Sequence, residues 1–163
     1  MLHSIFGPEE QATSDFNRQH QRGSRHRLLN SLLGKSSDLA DFKTTRAKIS
    51  VGNQHDGGLQ VVAVDDIHGS VGRTHDFDDA FYPIHESSRH RWCAVAAELY
   101  RGHNLPPVEL YHVDDDYYVI DGNHRISVMK AIGQEFVEAQ VIEIETVDSR
   151  CQTQEMPAPR FDH

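Results

Sequence analysis

One stretch constrains this chain more than any other. The β-rich run Tyr117-Tyr118-Val119-Ile120 passes through Asp121-Gly122-Asn123-His124-Arg125 into Ile126, Val128, Met129 and Ile132 at helical spacing, closed by Gly133. A strand that turns through glycine into a helix requires a sheet with that helix packed on it. It also aims the helix's first backbone N–H groups at whatever lies in front of the turn.

The neighbouring segments supply the rest of such a sheet. Pro106-Pro107 sets an extended start to Val108–Val113, and Asp114-Asp115-Asp116 turns that strand into Tyr117–Ile120, a β-hairpin. Upstream, Ser87 or Ser88 caps a helix over 88–101, ended by Gly102, whose Trp92, Val95, Ala96, Leu99 and Tyr100 share a core face. Leu59–Val64 reads as a strand after the breakers Gly52, Asn53, Gly57 and Gly58, and Val137, Ala139 and Val141 alternate as a last strand. Leu28/Leu29 and Leu32/Leu33 predict a short amphipathic helix from Ser24 to Gly34. Asp38 and Asp41 at one end, with Arg46 and Lys48 at the other, predict a second helix over 38–48. The expected architecture is α+β: a small mixed β-sheet with packed helices and an N-terminal helical extension. Its divisions are a flexible lead-in over 1–23, a helical extension over 24–58, the folded domain over 59–145 and a flexible tail over 146–163.

Composition narrows the function classes. The chain has 163 residues, 37% of them hydrophobic, which suits one domain with tails and excludes two large ones. No apolar run approaches the length of a membrane span and no signal segment opens the sequence, so a soluble, cytoplasmic protein without a membrane partner is expected. Residues 1–50 carry 8 Lys and Arg against 5 Asp and Glu, net +3, whereas residues 51–163 carry 8 against 20, net −12. An acidic body excludes broad adhesion to nucleic acid, because neutralising phosphates takes clustered cations. The basic run Arg18, Arg22, Arg25, Arg27 is the one stretch suited to polyanions, and it reads equally as a solvated arm. Cys93 and Cys151 form no CxxC pair, and the 12 histidines show neither HxH nor HExxH spacing, which argues against a disulfide framework and a zinc centre. Gly34-Lys35-Ser36 lacks the first glycine and the preceding strand of a Walker loop.

The loop 121–125 carries the most chemistry. Gly122 lets backbone approach a ligand, Asn123 can cap the helix, and His124 and Arg125 are donors that suit a phosphate. The same residues also make an ordinary strand-to-helix turn, with Arg125 paired to a nearby carboxylate. The acidic stretch His75-Asp76-Phe77-Asp78-Asp79 offers a base or metal ligands, or simply a charged turn.

Taken together, Leu105-Pro106-Pro107-Val108-Glu109-Leu110-Tyr111, Tyr118–Val128 with its Asp121-Gly122-Asn123-His124-Arg125 box, Gly133 and the last strand resemble the ParB/sulfiredoxin superfamily domain over about residues 61–144. Val64-Asp65-Asp66-Ile67 and Gly72-Arg73 resemble that domain's first box. The resemblance implies a nucleoside di- or triphosphate (ATP, ADP or CTP) with magnesium, held by Gly72, Arg73, Asp121, Gly122, Asn123, His124 and Arg125. In that reading Asp76, Asp78 and His124 are the candidate catalytic residues, and Asp76 and Asp78 the candidate metal ligands. Hydrolysis or phosphoryl transfer and a non-enzymatic nucleotide switch, with a homodimer, are both compatible with it.

Four branches of the superfamily separate on their residues. Sulfiredoxins carry a nucleophilic cysteine where this chain has Asn123, which cannot attack, so that activity is not expected. Chromosome-partitioning ParB proteins follow the domain with a DNA-reading helix-turn-helix, and the polar stretch after the last strand does not resemble one. Archaeal free serine kinases have an Asp-Gly-His-His-Arg box, the nearest to this one. ParB-like nucleases would use metal-bound carboxylates on a phosphodiester, but the acidic body offers DNA little beyond the N-terminal arm, so DNA stays a secondary partner.

Overall fold

The computed structural model describes residues 6–147. The chain runs α1 (Pro8–Leu32), β1 (Ala40–Asp41), α2 (Phe42–Lys48), β2 (Val51–Ala63), a 3₁₀ turn (Val64–Asp66), β3 (Ile67–Ser70), a second 3₁₀ turn (Glu86–Ser88), α3 (Arg89–Tyr100), β4 (Val108–Val113), β5 (Asp116–Asp121), α4 (Asn123–Ile132) and β6 (Phe136–Thr146). The six strands form one mixed sheet in the order β1-β3-β5-β4-β6-β2. β4 and β5 are the expected antiparallel hairpin. β6 returns through α4 to lie parallel to β4, and β3 lies parallel to β5. The architecture is therefore the expected α+β.

Alternation along the strands sends side chains to two cores. Leu110, Val119, Ala139 and Val141 meet Trp92, Ala96, Ile126 and Val128 of α3 and α4 on one face. Tyr118, Val113 and Ile144 meet Phe42 of the short α2 on the other. Both cores place the β5–α4 turn at the end of the sheet, between the strand tips and the start of α3.

Three boundaries differ from expectation. The first concerns residues 8–32, where a flexible lead-in and a separate helix from Ser24 were expected. They form a single 25-residue helix that starts at Pro8 with Glu9 and Glu10 in its first turn. Its buried face is Ala12, Phe16, Gln19 and Gly23, three of them small or polar residues that a hydropathy reading overlooks. Phe16 packs edge-on to Trp92 at 5.7 Å, and the Tyr100 hydroxyl donates to Asp15, fastening α1 to α3. Leu28, Leu29, Leu32 and Leu33, the basis of the expected short amphipathic helix, are exposed at the far end of α1.

Second, α2 begins at Phe42 rather than 38, because Ala40–Asp41 pair with Gly69–Ser70 and the Asp41 carboxylate caps the helix through the Lys43 N–H. Third, β2 extends back to Val51, paired along β6 with irregularities at Asn53 and Gly57. The expected tail lies, beyond Val147, outside the described residues.

Candidate functional site

A groove of about 580 Å³ opens at the start of α4, bounded by Gly72 and Arg73 of the loop after β3, Arg91 and Val95 of α3, Leu105 and Pro106, and the stretch Ile120–Arg125. The structure thus brings together all seven residues expected to bind the ligand. Gly122 is the residue before the helix, at φ +111°, a conformation that suits glycine. A Cβ there would lie 2.6 Å from Val108. No side chain caps the helix there, so the first N–H groups of α4 have no side-chain acceptor at Gly122.

Asn123, expected to cap the helix, is instead its first residue. It is 94% buried and makes no hydrogen bond with a described residue, and its Oδ1 is fully enclosed. Buried amides are nearly always paired, and the orphaned Asn123 Oδ1 is an acceptor that calls for a donor.

The guanidinium of Arg125 is committed to structure. It donates to the carbonyls of Pro106 (2.6 Å) and Pro107 (2.9 Å) and to Asp121 (2.5 Å), tying α4 to the segment before β4. Three of its five N–H donors are thereby engaged within the protein, which leaves Arg125 fewer for a phosphate than expected. The exposed cations of the groove are Arg73 and Arg91. Arg73 sits at φ +57° and pairs with Asp76 at 3.1 Å, its loop held by the Ser70 hydroxyl bonded to Gly72. Arg91 was not singled out in the sequence. The signal was present in Arg89-His90-Arg91, where Arg91 precedes core Trp92 and stands one helical turn before Val95.

His124 is 91% buried, edge-on to Phe77 at 5.1 Å. Burial, reinforced by the positive field of Arg91 and Arg73, depresses its pKa to about 4. With that pKa the imidazole is neutral near pH 7 and offers a phosphate an N–H rather than a charge.

The acidic stretch is divided between two places. Asp76 faces Arg73, whereas Asp78 is fully buried, accepts the N–H groups of Ala80 (3.1 Å) and Tyr82 (2.9 Å), and lies 3.3 Å from His26 of α1. Burial raises the Asp78 pKa, which its hydrogen bonds partly offset. Among the described residues the one group of three or more with metal-ligand spacing is His26, Asp78 and Asp79, which includes the expected Asp78 and not Asp76. Asp121 lines the groove and Asp76 pairs with the groove's Arg73, so each carboxylate already has an arginine partner, and these residues do not fit a magnesium site of the protein's own.

Outside the groove, Cys93 is partly buried and its thiol pKa is raised, which leaves it a poor nucleophile. The basic arm is partly spent: Arg18 pairs with Asp15 at 2.8 Å, and Arg27 lies 3.6 Å from Asp78. No helix among the described residues is long and apolar enough to cross a membrane.

No family model matches the chain, and no curated protein matches it. Among solved structures it is similar to the crystal structure of sulfiredoxin from Arabidopsis thaliana, with 16% identity and a TM-score of 0.39 over 51% of this chain and 82% of that one. Nothing of that protein's chemistry passes to this chain at such a level.

Proposed function

We propose that this protein binds a nucleoside phosphate in the groove at the start of α4, as a binding module in which a phosphate sits on the helix N-terminus between Arg73 and Arg91. The observation that carries the reading is the pair of exposed guanidiniums, Arg73 and Arg91, lining a groove at the N-terminus of α4. Val95, Leu105 and Ile120 add an apolar wall for a sugar or base, and the volume falls within the range of small-molecule sites. The likeness of the Asp121–Arg125 box to nucleotide-binding superfamily members supports the same ligand class.

Binding is favoured over turnover by the state of the candidate bases. Asp76 is held by Arg73, Asp78 faces α1, and a His124 pKa near 4 makes a weak general base. We do not favour metal-dependent cutting of DNA, because Asp76 is engaged by Arg73 and Asp78 faces His26.

Titration calorimetry of the whole chain against ATP, ADP, CTP and GTP tests the reading. One nucleotide should bind saturably, Arg91→Ala should weaken it at least tenfold, and no phosphate should be released on incubation. Absence of binding to all four would contradict it, and phosphate release would move the protein to the enzymatic reading.

A further inference from the structure

A second, smaller cavity lies on the α1 side of α4, away from the groove. It holds about 90 Å³, the room of a few waters, between α1, the segment Ala80–Tyr82 and α4. Its polar lining includes Gln19, Arg22 and Lys130. Gln19 is 96% buried, lines the cavity, and makes no hydrogen bond with a described residue. Arg22 makes no ion pair with a described residue. Lys130 makes none either, its ammonium lying 5.5 Å over the ring of Phe81. The nearby Ser127 hydroxyl is already spent, donating to the Phe81 carbonyl at 2.6 Å and accepting from Trp92 at 2.9 Å. Burial lowers the Lys130 pKa, which the charges of Asp65 and Asp66 partly offset without an ion pair.

A buried amide and two unpaired cations around a small void have a common remedy, an anion. We infer that this cavity is a binding site for a small tetrahedral oxyanion, contacted by Gln19, Arg22 and Lys130. Arg22 and Lys130 supply charge-assisted donors. The Gln19 amide donates through Nε2 and can accept from a protonated oxygen, which hydrogen phosphate has. The volume admits a free anion and excludes a nucleoside, so this site is distinct from the groove.

The experiment uses inorganic phosphate as the probe on the whole chain in chloride-free buffer, with Arg91→Ala as background to silence the groove. In that background phosphate should still bind at one saturable site and shift the Gln19 side-chain amide resonance. Arg22→Ala and Lys130→Met, added separately, should each weaken binding at least tenfold. Arg22 is on the surface, so its removal should leave the melting temperature in place even if Lys130→Met disturbs packing over Phe81. A cavity that holds water only would show no shift at Gln19 and the same phosphate affinity with and without Arg22, and either result overturns the inference.

Discussion

His124 shows how strongly a single residue registers its surroundings. Its folded pKa of about 4 lies below the ordinary value of about 6.5. Between those values the unfolded chain holds more protons than the folded one, so stability is full above about pH 6.5 and falls as pH drops toward 4. The loss is roughly 3 kcal/mol when complete. Urea unfolding at pH 7 and pH 4.5 should show a larger acid loss for the wild type than for His124→Gln; equal losses would contradict the assignment. Arg125 makes the opposite kind of prediction. Arg125→Ala removes the partner of two carbonyls, at a cost of about 1–3 kcal/mol. Thermal melting should drop by several degrees, whereas a purely ligand-facing arginine would leave the melt unchanged.

At the scale of elements, α1 is the surprise and α4 the element most legible in advance. The strand–glycine–helix pattern of 117–133 carries its own start, periodicity and stop, and the structure follows it within a residue or two. α1 instead buries Ala12, Phe16, Gln19 and Gly23, only one of which is large and apolar, while its leucines face solvent. Gly7, Pro8, Glu9 and Glu10 mark its start, but local signals of that kind do not tell which face a helix buries. Gly23 shows the tertiary reason: a Cβ there would stand 2.6 Å from the Cβ of Tyr82. Gly23→Ala should therefore destabilise the fold by about 1–3 kcal/mol despite its better helix propensity. Denaturant titration checks the sign, and a stabilised variant would mean that α1 does not rest on this contact.

Across the whole molecule, the sequence made the class of fold readable and left the wiring of the site hidden. Hydrophobic alternation marked the hairpin and the last strand, but β1, two residues long, arises only because β3 lies beside it. The groove was legible through Gly72, Arg73 and the Asp121–Arg125 box, since a glycine turn before a helix has few uses. Which arginine is exposed was not legible. Arg125 is engaged by backbone carbonyls that come close only when the fold forms, and Arg91 reaches the groove from α3, 34 residues before Arg125 in the chain. The split between Asp76 and Asp78 likewise depends on α1 bringing His26 to one of them.

The central claim is that a nucleoside phosphate occupies the groove beside His124, and the imidazole titration reads it directly. A bound phosphate places negative charge against a ring whose pKa is held down by burial and two arginines, so it must raise that pKa. Following the His124 ring resonances by NMR from pH 4 to 8, with and without saturating nucleotide, should show a rise of more than one unit from about 4. An unchanged titration in the presence of ATP, ADP, CTP and GTP would contradict the account.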